Sequence, residues 1–380
     1  MSTFRWLSEF EARKSGNLKW KRYPPEVLPL DVGEMDCETS SEIRKVISSA
    51  STSGQFGYGP IASRSTLPKV LSAHLEDYFG ISCEEAYVIP AGGLLFALSE
   101  CLRILKRTGN TLLIEPAYSG LDQAINASGC NPIRISSVHN NDGTLEIDRD
   151  MIIKEIYAGA WSIVLAIPNS PTGALLSQKD MEWLAEIAVA KNLSIFIDAI
   201  YAHTFPTPKD LGLLDILRHC VDQVVIFGGP SKAWAIPSIR VSYMIFNNQL
   251  SASRVEREFR WILSPRAALG EAVCETAVTL GLAWLQECRN KVAENKELVR
   301  SVLEPGGWTA HYSHHATPYL WLHPPLTMSY PELHFLRKAK VALVGGTMYG
   351  QPYRSFVRMN IACNQLVLKE ALDRIHRVTG

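Results

Sequence analysis

The chain has 380 residues, 47% hydrophobic and 20% charged, enough apolar content to bury one large core and a second, smaller one. Its 38 Lys and Arg balance 38 Asp and Glu, so no basic field favours nucleic acid or an anionic membrane surface. Eight scattered cysteines form no C-x-x-C pair, Glu9 and Glu11 fall where a signal peptide would be apolar, and no uncharged run reaches spanning length. These features argue against a disulfide framework, a secreted protein or a membrane protein, and lead to the expectation of a cytoplasmic one.

In chain order, the first 29 residues are rich in Trp, Pro and basic side chains. They have no sheet partner of their own and are expected to pack on the C-terminal region. From about residue 85 to 246, short β-rich runs alternate with stretches of helical period, the pattern of an α/β domain with a mostly parallel sheet. The predicted strands are 86–89, 111–114, 132–135, 162–167, 193–197, 224–227 and 241–246. Ser177 caps the clearest helix between them, with Met181, Trp183, Leu184, Ile187 and Ala188 on one face. Residues 270–303 read as one long helix, stopped by Glu304-Pro305-Gly306-Gly307. Apolar runs at 319–322 and 341–344 and a terminal helix over 365–377 complete a second, α+β region. The pattern predicts an α/β fold: a large domain over 45–285 on a central seven-stranded, mostly parallel sheet, and a smaller α+β domain from 1–44 and 286–380. The long helix around 270–303 is expected to link them.

Five motifs at successive strand ends point together to a chemistry that none carries alone. Pro90-Ala91-Gly92-Gly93-Leu94-Leu95 turns from a strand into a helix, where free backbone N–H groups can hold a phosphate; a plain tight turn reads the same way. It lacks the G-x-G-x-x-G spacing of dinucleotide sites. Glu115-Pro116-Ala117-Tyr118 puts an aromatic ring at the sheet's carboxyl edge, either to stack on a planar ligand or to start a helix. Asn169-Ser170-Pro171-Thr172-Gly173 is a rigid polar turn that offers an amide, or simply a loop. Asp198 ends a very apolar strand; a buried carboxylate needs a cation, and a protonated pyridine nitrogen would serve, with Tyr201 close behind. Finally, Gly228-Gly229-Pro230-Ser231-Lys232 sets a lysine just past a strand, with Arg240 eight residues on. That spacing suits a Schiff base to an aldehyde cofactor and an ion pair to its phosphate.

This ordered set resembles the fold type I pyridoxal-phosphate enzymes, specifically the class I/II aminotransferase family that also contains the cystathionine β-lyase-like C–S lyases. The resemblance runs over nearly the whole chain. It implies pyridoxal 5′-phosphate as cofactor, held by Lys232 as an internal aldimine, with Lys232 later acting as general base. It implies that Asp198 pairs with the pyridine nitrogen and that Tyr201 bonds the ring oxygen, with Asn169 or Ser170 beside it. Gly93, the amides of Leu94 and Leu95, Ser231 and Arg240 would grip the phosphate, and Tyr118 would stack on the ring. Tyr58, in Phe56-Gly57-Tyr58-Gly59-Pro60, matches the tyrosine lent to a neighbouring subunit's phosphate, which implies a homodimer with shared active sites. Val357-Arg358-Met359-Asn360 resembles the family's C-terminal arginine motif, so Arg358 would pair bidentately with the substrate α-carboxylate. Asp31-Val32-Gly33-Glu34-Met35-Asp36 resembles the loop that closes over that carboxylate, with Gly33 at the contact.

Departures mark a divergent member. Ser170 stands where the family usually has Asn, Gly229 where a hydroxyl residue helps grip phosphate, and Ser63, Ser238 and Ser242 where glycines are usual. The leading expectation is an aminotransferase acting on a small-molecule L-amino acid. The alternative is a lyase, cyclase or oxidase of specialised metabolism, working by β- or γ-elimination or by oxygen-dependent oxidation. A sensor that kept the fold and lost its chemistry fits less well, because Asp198, Tyr201, Lys232, Arg240 and Arg358 are all present. Arg260 falls near a second arginine of dicarboxylate-specific relatives, but a surface helix position is the better reading of it. The His311-Tyr312-Ser313-His314-His315 cluster lacks a second ligand set and reads as a loop by the substrate pocket, not a metal site.

Overall fold

The computed structural model describes residues 4–54, 56–57, 65–84, 87–140, 142–213, 216, 222–263, 267–311, 317–325 and 328–379, without the side chains of 260–263 and 311. The expected seven-stranded sheet is present. Its strands are Val88–Ala91 (β1), Thr111–Ile114 (β2), Pro132–Ile135 (β3), Ser162–Ala166 (β4), Ser194–Asp198 (β5), Val224–Gly228 (β6) and Ser242–Phe246 (β7). They lie in the order β1-β7-β6-β5-β4-β2-β3. Only β7 runs antiparallel to its neighbours.

The continuous apolar runs of these strands follow from burial on both faces. Alternate side chains feed two separate cores: Val164, Phe196 and Phe227 pack in one, Ile163, Ile195, Ile197 and Ile226 in the other. The first core is closed by the helices Leu94–Leu105 (α1) and Ser119–Ala127 (α2), through residues such as Leu98, Leu102 and Leu121. Helix Gln178–Lys191 (α3) closes the second with Met181, Leu184 and Ala188, and Ser177 caps it as expected, accepting from Asp180 N. In the register, Asp198 lies opposite both Ala166 and Phe227. The carboxyl ends of β1, β2, β4, β5 and β6 therefore share one sheet edge with the start of the antiparallel β7.

The single long helix expected over 270–303 is instead two, Ala268–Leu280 (α4) and Leu282–Leu303 (α5), meeting at a 75° bend. The break is at Gly281. A Cβ there would lie 2.5 Å from Trp234 Nε1 and 2.7 Å from Ala277 O, and the Trp234 indole donates to the Gly281 carbonyl at 3.0 Å. A helical period in sequence has no means of registering a tryptophan that arrives from 47 residues upstream. Among the described residues, no single helix is long and apolar enough to cross a membrane.

The N-terminal segment does pack on the C-terminal region. Leu28–Pro29 pairs in parallel with Val341–Ala342 (β9), beyond Tyr319–His323 (β8), which itself pairs with Val357–Asn360 (β10). The terminal helix, Gln365–Thr379 (α6), covers this region. Residues 30–36 then run as a strap along β10. Asn360 N donates to Leu30 O at 2.8 Å, and Asn360 Nδ2 donates to the carbonyls of Val32 and Glu34 at 2.6 and 2.7 Å. The far end of the strap is anchored by a fully buried ion pair, Lys19 Nζ to Asp36 Oδ2 at 2.7 Å, with Trp20 Nε1 donating to the other carboxylate oxygen at 2.9 Å. Lys19→Met would leave that buried carboxylate without its cation. We expect a loss of about 3–5 kcal/mol, read as a lower midpoint in urea unfolding at pH 7.

Candidate active site

Beyond β6 the chain turns through Gly229-Pro230-Ser231 to Lys232. Gly229 is tightly enclosed, since a Cβ would sit 3.2 Å from Val241 O and 3.3 Å from Ile200 Cδ1, so a larger residue there would need its neighbours to give by a few tenths of an ångström. Ala235 adopts φ 56°, a left-handed backbone that costs an alanine about 1–2 kcal/mol. The turn tolerates this because its neighbours over-determine it. Trp234 N donates to Pro230 O, Ile236 N to Ser231 O, both at 3.0 Å, and Thr39 Oγ1 to Trp234 O at 2.6 Å. The half-buried Lys232 side chain is thereby aimed across the sheet edge at the strap, where Nζ donates to Gly33 O at 3.1 Å.

Asp198 is buried at the end of β5, where Oδ1 accepts from Ile200 N at 3.0 Å. Burial pushes its carboxyl up to about 6, while the Ile200 N–H and the Lys232 cation pull the other way. A carboxylate in this position is stabilised by any cation placed against it. Tyr201 is buried beyond it, and its hydroxyl lies 2.8 Å from that of Tyr319, on β8. Burial raises the Tyr201 phenol well above its ordinary range, with Tyr319 adding to the rise and Arg358 opposing it.

The Arg358 guanidinium, carried by β10, rests 4.1 Å from the Tyr319 ring centroid, and Nη2 donates to Asp31 O at 2.5 Å. Its Nε is buried and has no hydrogen-bond partner among the described residues. An arginine edge with a buried free donor, beside a lysine cleft, suits a carboxylate ligand. Gly33, Glu34, Met35, Tyr201, Ser231, Lys232, Ala235, Pro237, Pro318 and Tyr319 line that cleft.

Gly93, Leu94, Leu95, Tyr118, Asn169, Ser170 and Arg240 lie around the same sheet edge. Gly93, at φ 152°, precedes the first turn of α1 and has no side chain to cap it, so the amides of Leu94 and Leu95 open the helix at its anion-attracting end. Tyr118 begins α2, 44% exposed, with its ring over Gly120: a Cβ on Gly120 would lie 2.4 Å from Tyr118 Cε1. Asn169 and Ser170 are buried in their turn. Asn169 braces the loop that carries Tyr118, since Nδ2 donates to Pro116 O at 2.9 Å and Oδ1 accepts from Thr172 Oγ1 at 2.8 Å. Arg240 is exposed just before β7, with no carboxylate in ion-pair range among the described residues. Tyr58, Ser63 and residues 312–316 lie outside the described residues, as do the side chains of Arg260 and His311.

These groups fit pyridoxal phosphate on the chain's own chemistry: a primary amine in a cleft, a buried carboxyl lacking a full counter-charge, an uncapped helix N-terminus at the same edge, and an arginine with a free buried donor. Gly33 tests the fit of strap to cleft. A Cβ there would lie 2.8 Å from Tyr319 Oη and 3.2 Å from Lys232 Nζ. Gly33→Ala is expected to lower kcat/KM by roughly 10–100-fold through displaced reacting groups, with the unfolding midpoint nearly unchanged.

Two contributors were not legible in the sequence. Tyr319 falls there in an apolar run, and Asn360 only within the arginine motif, without a role of its own. Only the pairing of β8 with β10, which sets Trp321 opposite Arg358 and Tyr319 opposite Asn360, brings them to the strap.

Comparison with known proteins agrees with this geometry. Residues 25–375 match the family Aminotransferase class I and II. The chain is 25% identical to cystathionine β-lyase of Corynebacterium glutamicum, over 99% of both chains. It is 23% identical to aromatic-amino-acid aminotransferase 2 of Thermococcus litoralis, over 93% of this chain and 91% of that one. Among solved structures, cystalysin from Treponema denticola, which contains pyridoxal 5′-phosphate, superimposes with a TM-score of 0.87 at 21% identity over 96% of each chain. A match to the family over most of its length, together with a shared fold, makes this chain a member of the class I and II aminotransferase family, whose enzymes use pyridoxal phosphate.

Proposed function

We propose that the protein is a pyridoxal 5′-phosphate-dependent aminotransferase that takes the amino group of a small L-amino acid and passes it to a keto acid. The observation that carries this reading is the placement of Lys232 Nζ, in one cleft with Gly33 and Tyr201 and within electrostatic reach of the buried Asp198. When bound, the cofactor supplies an aldehyde carbon for the amino group and a ring that accepts the electron pair left at the α-carbon.

The chain's own residues would divide the remaining work. Lys232 binds the cofactor and then takes and returns the α-proton. Asp198 keeps the ring nitrogen protonated, and Tyr201 donates to the ring oxygen. The amides of Leu94 and Leu95, after Gly93, hold the phosphate with Ser231 and Arg240, while Tyr118 covers the ring. Asn169 and Ser170 shape the wall beside it. Arg358 and the strap at Gly33 hold the substrate carboxylate and shut out water. In this reading Tyr58 reaches the neighbouring subunit's phosphate, and the working form is a homodimer.

A second reading, β-elimination from a sulfur-bearing amino acid, is favoured by one observation: the similarity to a cystathionine β-lyase spans 99% of both chains. It uses the same residues for binding and proton removal. A panel of amino acids offered with and without a keto acid acceptor separates the two. Stoichiometric conversion of acceptor to amino acid is expected for transfer. Ammonia and keto acid formed without an acceptor would establish elimination instead, and oxygen uptake would establish an oxidase.

A further inference from the structure

Tyr319 belongs to none of the sequence motifs, yet it bridges the two halves of the site. It is buried, its hydroxyl lies 2.8 Å from the Tyr201 hydroxyl, and its ring carries the Arg358 guanidinium at 4.1 Å. The two rings meet edge to face at 81°, with centroids 5.6 Å apart. Two phenols hold two hydroxyl protons, and one of them occupies their mutual bond. The Arg358 cation polarises the ring beneath it, which makes Tyr319 the better donor of the two. The charged and titratable groups around the pair are Arg358 from β10, Tyr349 beside it, Lys232 from the loop after β6, and Asp31 and Glu34 from the strap.

We propose that Tyr319 is a positioning residue that joins the carboxylate site to the cofactor ring. Its hydroxyl donates to Tyr201, so the Tyr201 proton is aimed at the ring oxygen, while its ring supports Arg358 from below. This rests on the cofactor reading above. Donation to the ring oxygen favours the deprotonated form of the bound cofactor, and a phenol that itself accepts a hydrogen bond donates more strongly.

The test is a pH titration of the visible absorbance of the holoenzyme, together with KM for its amino acid. Tyr319→Phe keeps the ring and is expected to move the absorbance midpoint up by about 0.3–1 pH unit, with KM within about twofold of wild type. Tyr319→Leu, which removes the ring, is expected also to raise KM about tenfold. Tyr201→Phe should shift the midpoint further, and adding Tyr319→Phe to it should change nothing more, since the two hydroxyls act as one unit. A Tyr319→Phe midpoint equal to wild type, or shifts that simply add in the double variant, would overturn the proposal. A wild-type protein that takes up no visible band at all would overturn the cofactor reading itself, and this one with it.

Discussion

Lys232→Ala is expected to lower turnover by at least about 10³-fold and to leave no lysine adduct when the protein is treated with pyridoxal phosphate and borohydride. The size follows from the two roles proposed for this one amine. Loss of a general base alone costs about 10²–10⁴-fold, and the covalent attachment of the cofactor is lost with it. The fold has little stake in this side chain, which is half-buried and makes one described hydrogen bond, to Gly33 O. A single such bond is worth about 0.5–1.5 kcal/mol, so the variant should remain folded by circular dichroism. Mass spectrometry of the wild-type peptide around residue 232 should carry the reduced cofactor. An unmodified peptide, or a variant that keeps more than a tenth of the activity, would be fatal to the assignment of Lys232.

Asp198→Asn is expected to act in opposite directions on activity and on stability. Under the proposed function, the bound cofactor's ring nitrogen is the cation that this buried carboxylate would pair with. Removing one member of such a pair costs about 3–5 kcal/mol, which as a barrier corresponds to roughly 10²–10³-fold in kcat. Without cofactor the same carboxyl is a burden. It titrates at about 6 in the fold against an ordinary 3.8, because burial disfavours its charge. The folded protein therefore binds a proton more tightly than the unfolded chain between these values. Stability from this group is fully present below about pH 4 and falls as pH rises through 6, by roughly 2–3 kcal/mol. Asp198→Asn removes that fall. The cofactor-free variant should show a higher urea midpoint than wild type at pH 8 and an equal one near pH 4, whereas the loaded variant should be less active at every pH. A lower midpoint at pH 8 without cofactor would mean that the carboxylate is paired within the protein.

The expected split between activity and stability at Asp198 follows from a buried carboxyl whose charge the chain's own groups do not fully meet. The free Nε of Arg358 and the uncapped start of α1 have the same character. Each leaves a charge or donor incompletely met by protein groups, which is costly in an ordinary core and useful where a charged molecule binds.

The seven strands of the large sheet, the cap at Ser177 and the positions of Lys232 and Asp198 at strand ends were all legible in the sequence. Buried parallel strands must be apolar on both faces, and the turns beyond them must interrupt that run with glycine, proline and polar residues, so local pattern and position on the sheet edge coincide. The strand carrying Asp198 ends one residue later than its apolar run, because its carbonyl still accepts from Ile167 N. Tertiary structure alone decided the rest. The bend at Gly281 exists to admit Trp234, Tyr319 reaches Tyr201 and Arg358 through strand pairing and side-chain direction, and the strap reaches Lys232 because Asn360 and Lys19 hold it at both ends. Those contacts join residues tens to hundreds of positions apart, and the free energy that selects them belongs to packing and burial rather than to any periodicity along the chain.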